Sequence, residues 1–151
     1  MKKENASLNF VDLEHEMLDK WNKEDLFHKI VDKNKNSDKR FKFLDGPMTA
    51  NNRAGVHHFW GRVLKDMTIK YHALKGESQQ FQNGFDAQGM WVEVNVEKAL
   101  GLNGKPEIIK YGMDKFTEKC IDRVKFYANE ITNESIRMGQ FMDWDNSYFT
   151  N

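Results

Sequence analysis

The feature that most constrains the fold is the segment from Arg40 to Phe85, in which two strand-like runs flank a single helix. Val56, Phe59, Trp60, Val63, Leu64, Met67, Tyr71 and Leu74 fall on one helical face, and Gly76 ends the pattern. Before it, Arg40 to Asp45 reads Arg-Phe-Lys-Phe-Leu-Asp and stops at Gly46-Pro47, a turn former that breaks helices. After it, Glu77 to Phe85 reads as a second short strand. Parallel neighbours in a sheet need a long crossover rather than a tight turn, so strand, helix and strand over this length predict one β-α-β unit. The expected fold class is α/β.

The flanking segments are simpler. Residues 8 to 31 carry Leu8, Val11, Leu13, Met17, Trp21, Leu26, Phe27, Ile30 and Val31, mostly three or four apart, which predicts an amphipathic helix interrupted near Lys23. Asp32 to Lys39 has no apolar residue and reads as a solvated connector. The expected organisation is therefore an N-terminal helical extension and linker, 1–39, followed by an α/β unit, 40–151. Between Gly89 and Leu100, Val92, Val94 and Val96 alternate like a strand while Glu97 to Gly101 ends like a helix, and periodicity leaves both open. Phe116, Cys120, Val124, Tyr127, Ile131 and Met138 form a helical stripe that Gly139 stops.

Composition narrows the function classes. The 23 basic and 23 acidic residues cancel, so no net field advertises a nucleic-acid partner, and 11 Phe, 4 Trp and 4 Tyr are too many for a disordered chain. The single cysteine, Cys120, excludes an internal disulfide. No apolar run approaches a signal segment or a membrane span, which predicts a cytoplasmic address and no membrane partner.

Two segments carry residues suited to chemistry. Asp45 to His58 joins a predicted strand to a predicted helix start, where unpaired N–H groups and the positive dipole end favour an anion such as phosphate. His57 and His58 lie in that first turn, where neutral imidazoles could donate to phosphorus-bound oxygens as charge builds; solvent-facing turn histidines are the plain alternative. They are poor joint metal ligands, because neighbours on a helix point about 100° apart, and neither Cys120 nor His72 adds a ligand-like spacing. No metal site is expected, and His15 and His28 read as structural. The second segment is Gly84 to Gly89, at the end of the second strand, where Asp86 could pair with a ligand ammonium or bond its own turn. Ligands of open parallel sheets sit beyond the carboxyl ends of strands, so both segments are expected to line one crevice.

Taken in order, Asp45-Gly46-Pro47, Ala50-Asn51, Gly55 to His58, Arg62, Lys65-Asp66, Tyr71, Gly84-x-Asp86-x-x-Gly89, Glu93, Val96-Glu97-Lys98 and Asp143-Trp144-Asp145 with Tyr148 and Thr150 resemble the N-terminal half of a class I aminoacyl-tRNA synthetase, most closely an isoleucyl one. The resemblance covers nearly the whole chain. It implies the first half of a Rossmann-like parallel-sheet catalytic domain, preceded by the amphipathic helix. It also implies ATP, with magnesium, and isoleucine and tRNA(Ile) as partners of a complete, monomeric enzyme. Carried over, Gly46, Pro47 and Asp86 would bind the amino acid, Asp86 through its ammonium. Gly55, His57 and His58 would meet ATP, the two histidines catalytically.

The match departs from the family pattern in two places. The usual His-x-Gly-His is here Gly55-Val56-His57-His58, which is expected to crowd or reshape the adenine pocket. This exchanged form resembles one in a branch of isoleucyl enzymes associated with tolerance of mupirocin, an adenylate mimic. Phe85 stands where the family usually has Trp, and is expected to keep an aromatic surface. The Lys-Met-Ser-Lys-Ser loop, editing insertion and anticodon-binding domain are absent from this sequence, so the expectation is an N-terminal fragment, inactive alone. The alternatives are a non-catalytic truncated paralogue holding adenylate or tRNA, and a valyl- or leucyl-type fragment. Another nucleotidyltransferase is disfavoured by Asp143-Trp144-Asp145.

Overall fold

The computed structural model describes residues 9–150, so Leu8 and Asn151 lie outside the described residues. The elements run α1 (Phe10–Lys23), α2 (Leu26–Lys33), β1 (Arg40–Leu44), β2 (Met48–Thr49), α3 (Val56–Leu74), β3 (Ser78–Asp86), α4 (Met90–Leu100), α5 (Lys105–Tyr111), α6 (Met113–Arg137) and β4 (Asp143–Phe149). The Asn9 side chain caps α1 by accepting the Val11 N–H at 3.1 Å. The expected interruption falls at Asp25, whose left-handed φ of 50° separates α1 from α2. The N-terminal helices reach the sheet layer through Phe27, which packs with Phe81 and Met142, and Trp21, which meets Phe141 edge-on at 5.8 Å.

The sheet is parallel and centred on β3, to which β1, β2 and β4 all pair. Gln82 is faced by Leu44 and by Asp143, and Phe85 by Met48 and by Phe149. A strand has two flanks, so β1 and β2 share one flank of β3 and β4 takes the other. The β1–α3–β3 crossover is the unit the sequence predicts. Strand β3 is buried along most of its length, as a central parallel strand requires.

The open segment Gly89 to Leu100 is helical. Val92 and Val96 are buried four residues apart on one face, an arrangement that valines at alternate positions satisfy as readily as a strand pattern. The stripe of α6 is turned inward, with Phe116, Val124 and Ile131 buried against α4, α5 and the sheet. The stripe of α3 is turned outward. Val56, Trp60, Val63, Leu64, Met67, Tyr71 and Leu74 are all exposed, and the buried side chains of this helix are Arg62 and Ile69. Phe85 keeps its aromatic ring but turns it into the core, 1% exposed beside Phe149, so it offers no aromatic surface to a ligand.

Candidate active site

The site is assembled where three strand ends meet the start of α3. Strand β1 ends at Leu44, and the Asp45 N–H still donates to the Gln82 carbonyl at 2.9 Å. Gly46-Pro47 then interrupts the edge before β2 resumes beside Phe85 and Asp86. The Ala50 N–H donates to the Asp86 carbonyl at 3.0 Å, and the chain turns through Asn51 to Gly55 into α3. A cleft of about 590 Å³ opens here, lined by Gly46, Thr49, His57, His58, Arg62 and Lys65 among others.

Gly55 is what lets the two histidines stack at the helix start. A Cβ there would lie 3.0 Å from Cε1 of His57 and 3.1 Å from its Nδ1, so the exchanged order folds the His57 imidazole back over residue 55. The two imidazoles lie 3.9 Å apart, tilted by 40°. The Gly55 N–H donates to Nδ1 of His58 at 3.0 Å, which satisfies one orphan donor of α3 and leaves the proton of the neutral ring on Nε2. Burial holds the His58 pKa below its usual value, with His57 and Arg62 adding to the effect. At neutral pH His58 is thus an uncharged donor at a positive helix end.

Behind the histidines lies a buried charged cluster. The Asp45 carboxylate accepts from Nζ of Lys65 at 2.6 Å and sits 3.7 Å from the Arg62 guanidinium. Arg62 is 3% exposed and donates to Oε1 of Gln140 at 3.1 Å and to Oδ1 of Asn83 at 3.4 Å. Burial lowers the Arg62 pKa while Asp45 opposes that shift. The hydroxyl of Tyr148 donates to the Asp45 carbonyl at 2.5 Å, tying β4 to the end of β1. This tie needs Gly84, because a Cβ at that position would collide with the Tyr148 ring.

Asp86 closes β3. Its Oδ2 accepts from the Thr49 hydroxyl at 2.8 Å, and its Oδ1 accepts from the Thr150 hydroxyl at 2.9 Å and the Gln88 N–H at 3.2 Å. Burial pushes its pKa up, but these hydrogen bonds outweigh burial and hold the carboxyl below its usual range. The bond to Gln88 is the turn contact that the plain reading of Asp86 requires, and the two threonines are contacts a turn residue does not need.

Gly46, His57 and His58 line the cleft, whereas Pro47, Gly55 and Asp86 stand outside its lining. Ala87, Gln88 and Gly89 instead line a separate groove of about 870 Å³ between α4 and α6. Strand β2 sits between the two segments: its two residues pair with the end of β3 and place Thr49 in the cleft lining with its hydroxyl on Asp86. Thr49 had no signal in the sequence. Arg62 and Lys65 did, since they follow His58 by four and seven residues and so share its helix face. No group of three or more His, Cys, Asp or Glu side chains able to hold a metal occurs among the described residues.

A parallel sheet with a crossover helix that starts at a strand-to-helix turn defines a Rossmann-like α/β class. The profile of the family described as tRNA synthetases class I (I, L, M and V) matches residues 16–151, and the chain belongs to that family. Within it, the chain is similar to isoleucine–tRNA ligases. It is 37% identical over 149 residues to that of Clostridium acetobutylicum, covering 99% of this chain and 14% of the relative. To that of Dehalococcoides mccartyi strain CBDB1 it is 38% identical over 146 residues, covering 97% and 14%. The chain therefore spans about one-seventh of the length of these relatives. Its fold matches the LeuRS of the ternary LeuRS-tRNA-LeuAMS complex from Agrobacterium radiobacter K84, with a TM-score of 0.65 at 15% identity over 91% of this chain and 15% of the other. No helix among the described residues is long and apolar enough to cross a membrane.

Proposed function

We propose that this chain provides the first half of a site that activates isoleucine with ATP, and that the longer enzyme transfers it to tRNA(Ile). In this reading residues 40–151 are the first half of the catalytic domain and 1–39 an N-terminal helical extension and linker. The observation that carries it is the His58 corner. A neutral imidazole, its Nδ1 engaged by Gly55 N–H, stands at a positive helix end beside Lys65 and Arg62. Such preorganised donors stabilise charge that builds on phosphorus-bound oxygens. The isoleucine carboxylate attacks the α-phosphorus of ATP, the bond to pyrophosphate breaks, and the aminoacyl adenylate forms. A tRNA hydroxyl then attacks the activated carbonyl and AMP leaves. His57 and His58, with Gly55, face the nucleotide, while Gly46 and Pro47 border the amino acid. Magnesium arrives with the nucleotide. The enzyme works as a cytoplasmic monomer.

Asp86 holds the substrate ammonium. Its three hydrogen-bond donors are neutral, so they orient the carboxylate and keep it ionised without cancelling its charge. In the longer enzyme, Asp86→Ala is expected to cost about 2–4 kcal/mol in kcat/KM for isoleucine and far less for ATP. Asp86→Asn should recover only part, because an amide does not neutralise a cation. Steady-state activation kinetics with each substrate varied in turn decides it: equal losses for both substrates, or a fully active Asn variant, would make Asp86 a turn residue.

A further inference from the structure

The histidine corner is carried on a loop without regular structure. Residues 50–55 form neither helix nor strand, and the Ala50 N–H on the Asp86 carbonyl is the last backbone bond that ties them to β3. Such a segment does not satisfy its own polar groups, so its place is set by whatever else supplies their partners. One face of α6 does so. Arg123, Tyr127, Glu130 and Glu134 follow one another at steps of four, three and four residues, which aligns them along the helix. Nε of Arg123 donates to the Asn51 carbonyl at 2.9 Å, and its Nη2 donates to Oδ1 of Asn52 at 2.8 Å. The guanidinium also lies over the Tyr127 ring, 4.7 Å from the centroid, a contact that restrains the fork while it grips two consecutive residues. Farther along the same face, Oε2 of Glu134 accepts from the Ala54 N–H at 3.3 Å.

The clamp ends one residue short of the corner. Ala54 packs against the core cluster that includes Val124, Ala128 and Ile131, so loop and helix share an apolar contact as well. The next amide carries the Gly55 N–H that donates to Nδ1 of His58 at 3.0 Å. Only two soft torsions separate the Ala54 amide from the Gly55 amide, so holding the first restricts where the second points. Asn51, gripped by Arg123, itself lines the cleft with His57 and His58, whereas Arg123 and Glu134 do not. A fourth contact is of another kind. Glu130 accepts from Arg53 at 3.0 Å, but the Arg53 side chain is 73% exposed, and a pair so open to water contributes little.

We propose that Arg123 and Glu134 of α6 are positioning residues for the histidine corner, holding loop 51–54 so that the Gly55 N–H meets His58. The proposal deepens the functional reading above and rests on it for what the corner binds. Both residues act through the loop and neither touches a ligand. Arg123 fixes the start of the loop at the cleft wall, and Glu134 fixes its end at the first amide of the corner.

Imidazole nitrogen NMR of the 151-residue chain reads the tautomer of His58 and tests the clamp. Wild type is expected to show one tautomer, with the proton on Nε2. Glu134→Ala removes the acceptor for Ala54, and Arg123→Ala removes the grip on Asn51 and Asn52. Each should give a mixture of tautomers, seen as movement of the His58 Nδ1 signal toward that of a free imidazole. Glu134→Gln keeps a carbonyl acceptor and should retain the wild-type signal, while Arg123→Lys offers one ammonium to two acceptors and should recover only part. Arg53→Ala should leave His58 unchanged. Amide signals of β3 confirm that each variant folds, and if an alanine variant does not, the Arg123→Lys spectrum decides. A His58 signal like that of wild type in both alanine variants, or in Arg123→Lys alone where that decides, would overturn the proposal. So would an equal shift in Arg53→Ala, or a wild-type His58 that already mixes tautomers. In the longer enzyme, Glu134→Ala is expected to lower kcat of isoleucine-dependent pyrophosphate exchange roughly tenfold, with the isoleucine KM within about twofold. A shifted His58 with unchanged exchange would support the clamp and remove the functional reading. Lost exchange with an unshifted His58 would remove the clamp alone.

Discussion

Helices α3 and α6 carry the same kind of apolar stripe and dispose of it in opposite directions. In α6, Phe116, Val124 and Ile131 point into the core, where they meet Val92, Val96, Ile108 and Phe85. In α3, the stripe faces outward, and the inner face relies on Ile69 together with a buried arginine held by Asp45, Asn83 and Gln140. Periodicity therefore marks a helix with an apolar face and is silent on whether the core of the chain takes that face. The difference also separates roles: α6 supplies stability within the chain, while α3 carries the candidate site at its start and exposed apolar side chains along its length.

The comparison breaks most easily in unfolding experiments on the chain. Ile131→Ala, at a position with no exposure, is expected to cost about 2–5 kcal/mol through lost transfer energy and a residual cavity. Trp60→Ala removes a larger side chain from α3, yet its cost should stay near or below about 0.5 kcal/mol. Urea midpoints for the two variants test this, and a Trp60 loss equal to that of Ile131 would mean that α3 buries its stripe within the chain.

A smaller effect sharpens the picture at the strand both helices flank. Gly84→Ala places a methyl group into the Tyr148 ring, so a cost of about 1–3 kcal/mol is expected. Adding Tyr148→Ala should remove most of that clash, leaving the double variant more stable than the sum of the singles implies. Additive losses in the same unfolding assay would show that the ring does not pack on Gly84.

The smallest expected effect concerns charge on two histidines, one in α2 and one at the start of α3. The Nδ1–H of His28 donates to Oδ1 of Asp25 at 2.6 Å, and that hydrogen bond, with the Asp25 charge, raises the His28 pKa. Its contribution to stability is fully present below the ordinary pH of about 6.5 and is lost as pH rises through the raised folded value. His58 at the start of α3 shifts the opposite way, so its contribution is present above about pH 6.5 and is lost as pH falls through the lowered folded value. An NMR titration should place the two imidazoles on opposite sides of the unperturbed value, and coincident titrations would contradict the cap at Gly55.

The β-α-β unit, the break near Lys23 and the α6 helix were legible in the sequence because each is a local pattern. Strand β4 was not, since Asp143 to Phe149 has no alternation and becomes a strand only by pairing with β3 far along the chain. Helix α4 stayed open because valines two apart are also four apart. At the site, the histidine corner could be read from its position between a strand and a helix. The contact of Thr49 with Asp86 could not, because a two-residue strand leaves no periodic trace. The outward turn of α3 was hidden for a different reason: its buried side chains are Ile69 and the arginine Arg62, which an apolar stripe does not single out.

Pyrophosphate exchange tests the central claim most directly. Labelled pyrophosphate incorporation into ATP should be measured for the chain alone and for the chain paired with the remaining portion of an isoleucine–tRNA ligase. The expected result is background exchange for the chain alone, equal to a His57→Ala/His58→Ala control, and isoleucine-dependent exchange for the pair that the same double substitution abolishes. Exchange by the chain alone above that control, or exchange by the pair that valine or leucine drives as well as isoleucine, would contradict it.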